Sequence, residues 1–446
     1  MKKRLLYPFV ILFFAVAIIF IFLQFKNKEN RITSYEFKER KFQLAGSAEY
    51  TNTRKRTNEL KLALQENPED KKALLGLSTV FIQEGRITGD HLYYDEAAMH
   101  YINQLLKLDS NNFDALTYKA ILFLSQHHFS EALTIADKAQ KINPYNAFIY
   151  GVLVDANVEL GNYDSAIMHA DTMMSIRPDI RSYSRVSYIR EILGDYSGAI
   201  ETMQMAAESG LPGDEGTEWT RVQLGQLYEK TGDLLRAKMH YTIALDERPD
   251  YAFAYSGFAR LATAEKNYPE AISLYLKADS LVNDFAIKEE LSEVYTLAGQ
   301  NDKALSISKR VVDDMSKVAE AAVTDENIGH YSDRELAYAY LKVDDNQRAL
   351  KHAIAEWNRR PKNIDVNETV AWVFYKMNQP DKSVKYITEA LKTGSKNPVL
   401  LSRAGLIYLK LNNKAKAKSY LAEALKHQPN FTPSLKAEAN AALATL

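Results

Sequence analysis

The sequence predicts an all-α protein, a solenoid of about ten helix-turn-helix units standing behind an N-terminal transmembrane helix. Three observations lead there. Small and aromatic residues recur at a fixed step of about 34 residues over 71–431. Gly and Pro are scarce, 18 and 12 in 446 residues, while Tyr reaches 27, a composition for packed helices rather than short strands and turns. An apolar run opens the chain.

Bulk composition narrows the function classes. Lys+Arg is 56 against Asp+Glu 57, a net charge of −1, whereas a nucleic-acid partner calls for a basic face that displaces counterions. Hydrophobic residues at 46% and charged residues at 25% leave little room for long disorder. With no Cys there are no disulfides, thiolate metal sites, Cys nucleophiles or lipid-modified Cys.

Element by element, residues 1–4 are expected to form a short cytoplasmic tail and residues 5–23 a membrane anchor. Nineteen residues at the helical rise cover about 28 Å, close to the hydrocarbon thickness. A cleaved signal peptide would want a shorter apolar stretch and small residues before the cut, and Gln24-Phe25-Lys26 supplies none. Lys2, Lys3 and Arg4 favour a cytoplasmic N-terminus and an exported array, hence a single-pass membrane protein. Residues 24–70 read as a juxtamembrane connector and an N-terminal capping helix, stopped at Asn67-Pro68.

The array proper falls into residues 71–312 and 330–431, with an irregular connection at 313–329 and a C-terminal capping helix at 432–446. From Phe113, Ala120, Phe123, Ala132, Ala136, Ala139 and Pro144 set a ruler. Leu224, Gly225, Tyr228, Gly232, Ala237, Tyr241, Ala244 and Pro249 keep its register, as do Ala404, Gly405, Tyr408, Ala417, Leu421, Ala424 and Pro429. Small residues let two antiparallel helices approach, larger ones fill between them, and Pro ends the second helix. Residues 86–94 are expected to lengthen the turn inside the first unit. Gly210 to Gly216 reads as a linker.

This pattern resembles the tetratricopeptide repeat, and the resemblance implies a right-handed α-solenoid whose first helices line a concave groove. Ala73-Leu-Leu-Gly-Leu77, Ser125-Gln-His-His-Phe129 and Trp219-Thr-Arg-Val-Gln-Leu-Gly225 also resemble landmarks of bacterial envelope-associated tetratricopeptide proteins, a group that brings no reaction or ligand with it. With the anchor at 5–23, the resemblance implies a bacterial inner-membrane protein with its array on the exported side.

No phosphate-binding, nucleophile-elbow or kinase pattern is present. His91, Asp95, Glu96 and His100 form the sharpest metal-like group, yet they lack the H-E-x-x-H order, and polar residues on an irregular turn are the simpler reading. No catalytic, cofactor or metal residue is assigned. The expected function is a membrane-anchored scaffold binding an extended peptide or partner helix in the groove, with no nucleic acid. An enzyme or a ligand or metal sensor at the His91–His100 turn is the alternative.

Groove positions nominate Asp155, Trp219, Gln226, Arg260, Tyr338, Glu368, Trp372 and Tyr375 as partner-binding residues. Tyr338, Trp372 and Tyr375 are expected to form an exposed aromatic strip. The Lys/Asn clamp that holds C-terminal carboxylates in some tetratricopeptide domains is missing, since Thr117, Gly151, Val222 and Ser256 occupy its key positions.

Overall fold

A computed structural model describes residues 35–324 and 329–446. The described residues hold 22 α-helices and no strand. Helix α1 (Ala48–Glu66) caps the array, and ten hairpins follow it. The first five are α2 (Lys71–Thr88) with α3 (His91–Leu108), α4 (Phe113–Ser125) with α5 (Phe129–Ile142), α6 (Ala147–Leu160) with α7 (Tyr163–Ile176), α8 (Ile180–Ile192) with α9 (Tyr196–Ser209), and α10 (Glu215–Lys230) with α11 (Leu234–Glu247). The second five are α12 (Ala252–Ala264) with α13 (Tyr268–Leu281), α14 (Phe285–Leu297) with α15 (Asn301–Thr324), α16 (Asp333–Lys342) with α17 (Asn346–Arg359), α18 (Ile364–Lys376) with α19 (Pro380–Ala390), and α20 (Pro398–Lys410) with α21 (Lys414–Ala424). Helix α22 (Pro433–Ala444) closes the far end. No described helix is long and apolar enough to cross a membrane, and the expected span at 5–23 lies outside the described residues.

Local chemistry starts the helices where the repeat demands. Asn112, Asn146, Asp284, Asn363 and Asn397 each accept a backbone N–H from the first turn of the helix that follows. Each such cap stabilises a helix start by about 1 kcal/mol. Pro144, Pro178, Pro249, Pro361 and Pro429 lie in the loops between hairpins, as their lack of an N–H requires.

Packing inside the array follows the small residues. Ala120, Ala132 and Ala139 are fully buried. The ring of Tyr241, also fully buried, lies between two glycines of successive first helices. A Cβ at Gly225 would stand 2.3 Å from one edge of that ring and a Cβ at Gly257 2.7 Å from the other.

The first hairpin differs from expectation. Residues 86–94 do not lengthen its turn; they extend both helices, and the turn is Gly89-Asp90, with Gly89 left-handed at φ 71°. The extra turns are amphipathic, burying Ile87 and Tyr94, so continuing the helices covers apolar surface that a loop would expose. The extended segment before α1 lies along this hairpin. Arg40 pairs there with Glu84, both side chains inaccessible, and Tyr35 Oη donates to Glu96 at 2.8 Å. Farther on, α15 runs through residue 313, where the sequence places the start of an irregular connection, and stays helical to Thr324.

The solenoid coils until it meets itself. Hydrogen bonds join residues 199 to 205 apart, Arg248 to Glu49, His128 to Gly329, Arg360 to Glu159, Asn363 to Val158 and Asn430 to Glu229 among them. That interval corresponds to about six repeats per superhelical turn. The turns within the first five hairpins dock on loops between the later ones. Gly89 meets Asn283, His127 meets His330 and Tyr331, Gly161 meets Lys362, Gly194 meets Gly394 and Gly232 meets His427.

Candidate functional site

Stacked superhelical turns enclose a lumen walled by the first helices. Three cavities of 670, 350 and 1090 Å³ occupy it, and Tyr188 borders all of them. Tyr188 is 41% exposed to water yet ringed by protein, because its side chain projects from α8 toward residues of the opposite turn. Burial, followed by the charges of Asp365, Glu159 and Glu191, holds its hydroxyl well above the usual range, so it stays protonated as a donor.

Charged groups on the wall are mostly paired across neighbouring repeats. Arg260 donates to Glu229 at 3.0 Å, to the Tyr241 hydroxyl at 3.1 Å and to Ser256 at 3.1 Å, with Glu290 3.6 Å away. Burial pulls the Arg260 pKa down, but Glu229, Tyr241 and Glu290 outweigh it and raise it overall. Arg403 bridges Glu368 and the Tyr338 hydroxyl, and Tyr338 in turn donates to Glu368 at 3.1 Å. The Asp155 carboxylate is held by Arg185 at 2.6 and 2.8 Å.

Three groups on the inner faces of α14 and α16 are different. Glu289 Oε1, Glu335 Oε2 and Arg334 Nε are buried atoms without a hydrogen-bond partner, whereas the neighbouring Glu293 is paired with Lys342. Unsatisfied polar atoms in a protein interior are costly, by about 1–3 kcal/mol each. Burial pushes the Glu289 carboxyl up to about 7; Lys342 opposes this, and Glu335 and Glu290 add to it. Burial alone would depress the Arg334 guanidinium, but Asp365, Tyr338 and Glu335 raise it.

The nominated residues sort as follows. Asp155, Trp219, Arg260, Tyr338, Glu368 and Trp372 line the cavities; Gln226 and Tyr375 do not. On α10 the wall is made by Trp219, Gln223, Leu227 and Lys230, a face turned one residue away from Gln226. The aromatic strip is not exposed. Trp372 is 6% and Tyr375 8% accessible, their rings stacked at 4.6 Å. Arg403 covers Trp372, and Glu438 of the C-terminal helix accepts the Tyr375 hydroxyl at 2.8 Å.

Tyr188, Glu289 and Arg334 escaped the sequence reading, although a signal was present. Asp179 and Ser182 form a capping box that starts α8 at Ile180, one residue ahead of the ruler. Counting from there, Arg181, Ser184, Tyr188 and Glu191 take the groove positions, and all four line the lumen.

The His91–His100 group does not converge. His91 faces Asp95 at 3.5 Å, His100 bonds Gln104 and Glu96 is taken by Tyr35. Among the described residues no three His, Asp or Glu side chains are arranged to hold a metal ion.

Two stretches match family models described as tetratricopeptide repeat, residues 222–284 and 400–431. The chain is a tetratricopeptide repeat protein. Solved structures similar to it include a tetratricopeptide repeat protein from Parabacteroides merdae, 18% identical, spanning 55% of this chain and 92% of its own, TM-score 0.42. The human IFIT1 dimer with PPP-AAAA is 14% identical over 77% of this chain and 78% of its own, TM-score 0.48. The protein TTC0263 of Thermus thermophilus is 20% identical over 41% and 94%, TM-score 0.37. Among curated proteins none matches the sequence. Tetratricopeptide repeats suggest a protein-interaction scaffold. In this member the first helices, which carry the groove positions, face inward on the lumen.

Proposed function

We propose that the protein is a scaffold that holds an extended polypeptide segment of a partner in the superhelical lumen, with residues 5–23 anchoring it in a membrane. The observation that carries this reading is the set of unpartnered groups at Glu289, Arg334 and Glu335 beside Tyr188. A peptide backbone offers donors and acceptors in alternation, which suits a wall needing both. Aromatic and guanidinium groups beside them are the side chains that dominate protein recognition.

Tyr188 is the residue to remove, because its side chain stands in the lumen and is absent from the packed cores. Tyr188→Ala is expected to weaken partner capture at least tenfold, about 1.4 kcal/mol, with helix content unchanged by circular dichroism. A photo-crosslinking residue at 188 should trap a polypeptide, and the same residue at exposed Lys238 on α11 should not. Equal trapping at both positions would remove the lumen from the mechanism.

A further inference from the structure

The charge of the chain balances only as a whole. Residues 147–332 contain 30 Asp and Glu against 17 Lys and Arg, whereas residues 376–446 contain 11 Lys and one Arg against four Asp and Glu. The basic stretch is the open end of the superhelix, where no further turn covers the hairpin turns of the last two repeats. Repetition aligns its lysines. Lys376 and Lys410 end α18 and α20 at equivalent places, and Lys382 and Lys416 stand at equivalent places in α19 and α21. Lys410 Nζ donates to Asn378 at 3.0 Å and ties the two turns together.

With Lys414 these make five exposed ammonium groups on one rim. Asp381 is the only carboxylate within residues 376–382 and 410–416. None of the five lysines forms an ion pair among the described residues. Four lie over rings instead, Lys376 at 4.9 Å from Trp372, Lys382 at 5.7 Å from Phe374, Lys410 at 5.1 Å from Tyr375 and Lys416 at 4.7 Å from Tyr408. A ring face fixes a cation in place without neutralising it.

The chemistry of the rim selects its partner. Lysine is a compact hydrated point charge without the planar guanidinium fork, so a row of lysines attracts negative charge without imposing one bidentate geometry. The rings beneath are themselves buried, Trp372, Phe374, Tyr375 and Tyr408 at 6–8% exposure, so none can stack on a base. What remains is a diffuse positive field at the open end of the superhelix, complementary to a plane of fixed negative charge. We propose that this rim docks on the anionic surface of a lipid bilayer.

The absence of cysteine allows a direct test. Ala415→Cys, exposed between Lys414 and Lys416, carries an environment-sensitive dye on the otherwise cysteine-free full chain. The chain is reconstituted into vesicles of phosphatidylcholine alone or with about 30% phosphatidylglycerol. Any insertion of the N-terminal segment is common to both, so the difference reports the rim. The dye should shift only on the anionic vesicles, and about 0.5 M salt should largely abolish the shift. Lys382→Gln, Lys414→Gln and Lys416→Gln together should reduce the anionic response about tenfold or more with helix content intact. An equal response on both vesicles, or a response unaffected by the triple substitution, overturns the proposal. So does a shift produced by duplex DNA or polyglutamate but not by the anionic vesicles.

Discussion

The hairpin turns of the first five repeats and those of the last five share one backbone conformation but not one set of residues. In the first five the left-handed position is Gly89, His127, Gly161, Gly194 and Gly232; in the last five it is Lys266, Gly299, Asp344, Asn378 and Asn412. A turn of this kind tolerates Asn, Asp or even Lys at modest cost. What excludes a side chain from the early turns is the next superhelical turn lying on them. A Cβ would come within 1.9 Å of the His427 carbonyl oxygen at Gly232 and 2.3 Å of Lys362 at Gly161, while nothing stands within 4 Å at Gly299. His127 is the exception that carries a side chain in a covered turn, and its ring is absorbed into the joint, 4.2 Å from His330. Glycine here records tertiary stacking rather than turn geometry alone.

The sharpest way to break the comparison is to make one substitution in both classes. Gly232→Ala adds a left-handed penalty to a backbone collision and is expected to cost about 3–4 kcal/mol. Gly299→Ala meets only the penalty, about 1 kcal/mol. Urea midpoints measure the difference, and X-ray scattering should show Gly232→Ala expanded if the superhelical turns part. Equal costs would mean that the two turns do not stack in solution.

A smaller effect comes from pH. Burial, then the neighbouring His127 and His91, depress His330 well below the ordinary histidine range, while a Ser125 backbone contact opposes them. The folded state therefore favours the neutral ring. Its stabilising contribution is complete above about pH 6.5 and is lost as pH falls toward the depressed folded value. Melting temperature should drop below about pH 6.5, and His330→Gln should flatten that drop. An unchanged profile would take His330 out of the joint.

The smallest expected change is at the open rim. Asn412→Gly relieves a left-handed side chain but frees the unfolded chain, and should stay within about 0.5 kcal/mol of zero by thermal melting. A loss larger than about 2 kcal/mol would indicate a covered turn where the structure has an open one.

The hairpin repeat was legible in the sequence because its determinants are local. Ala120 shares a core cluster with Ala136 and Ala139, and Gly225 meets Tyr241, within one 34-residue step, so their spacing states the contact. The register of α8 was legible in principle through the Asp179 capping box, which is equally local. Tertiary structure alone decided the lumen and its closure. A small rotation at each hairpin accumulates over about six repeats before Gly232 reaches His427 or Arg360 reaches Glu159, and no short spacing encodes that sum. The same holds for Trp372 and Tyr375, whose groove positions predict exposure until Arg403 of the next repeat and Glu438 of α22 close over them. Sequence periodicity specifies which faces of a helix pack. How far the coil turns before it meets itself depends on every interface together, and that decides which of those faces still sees water.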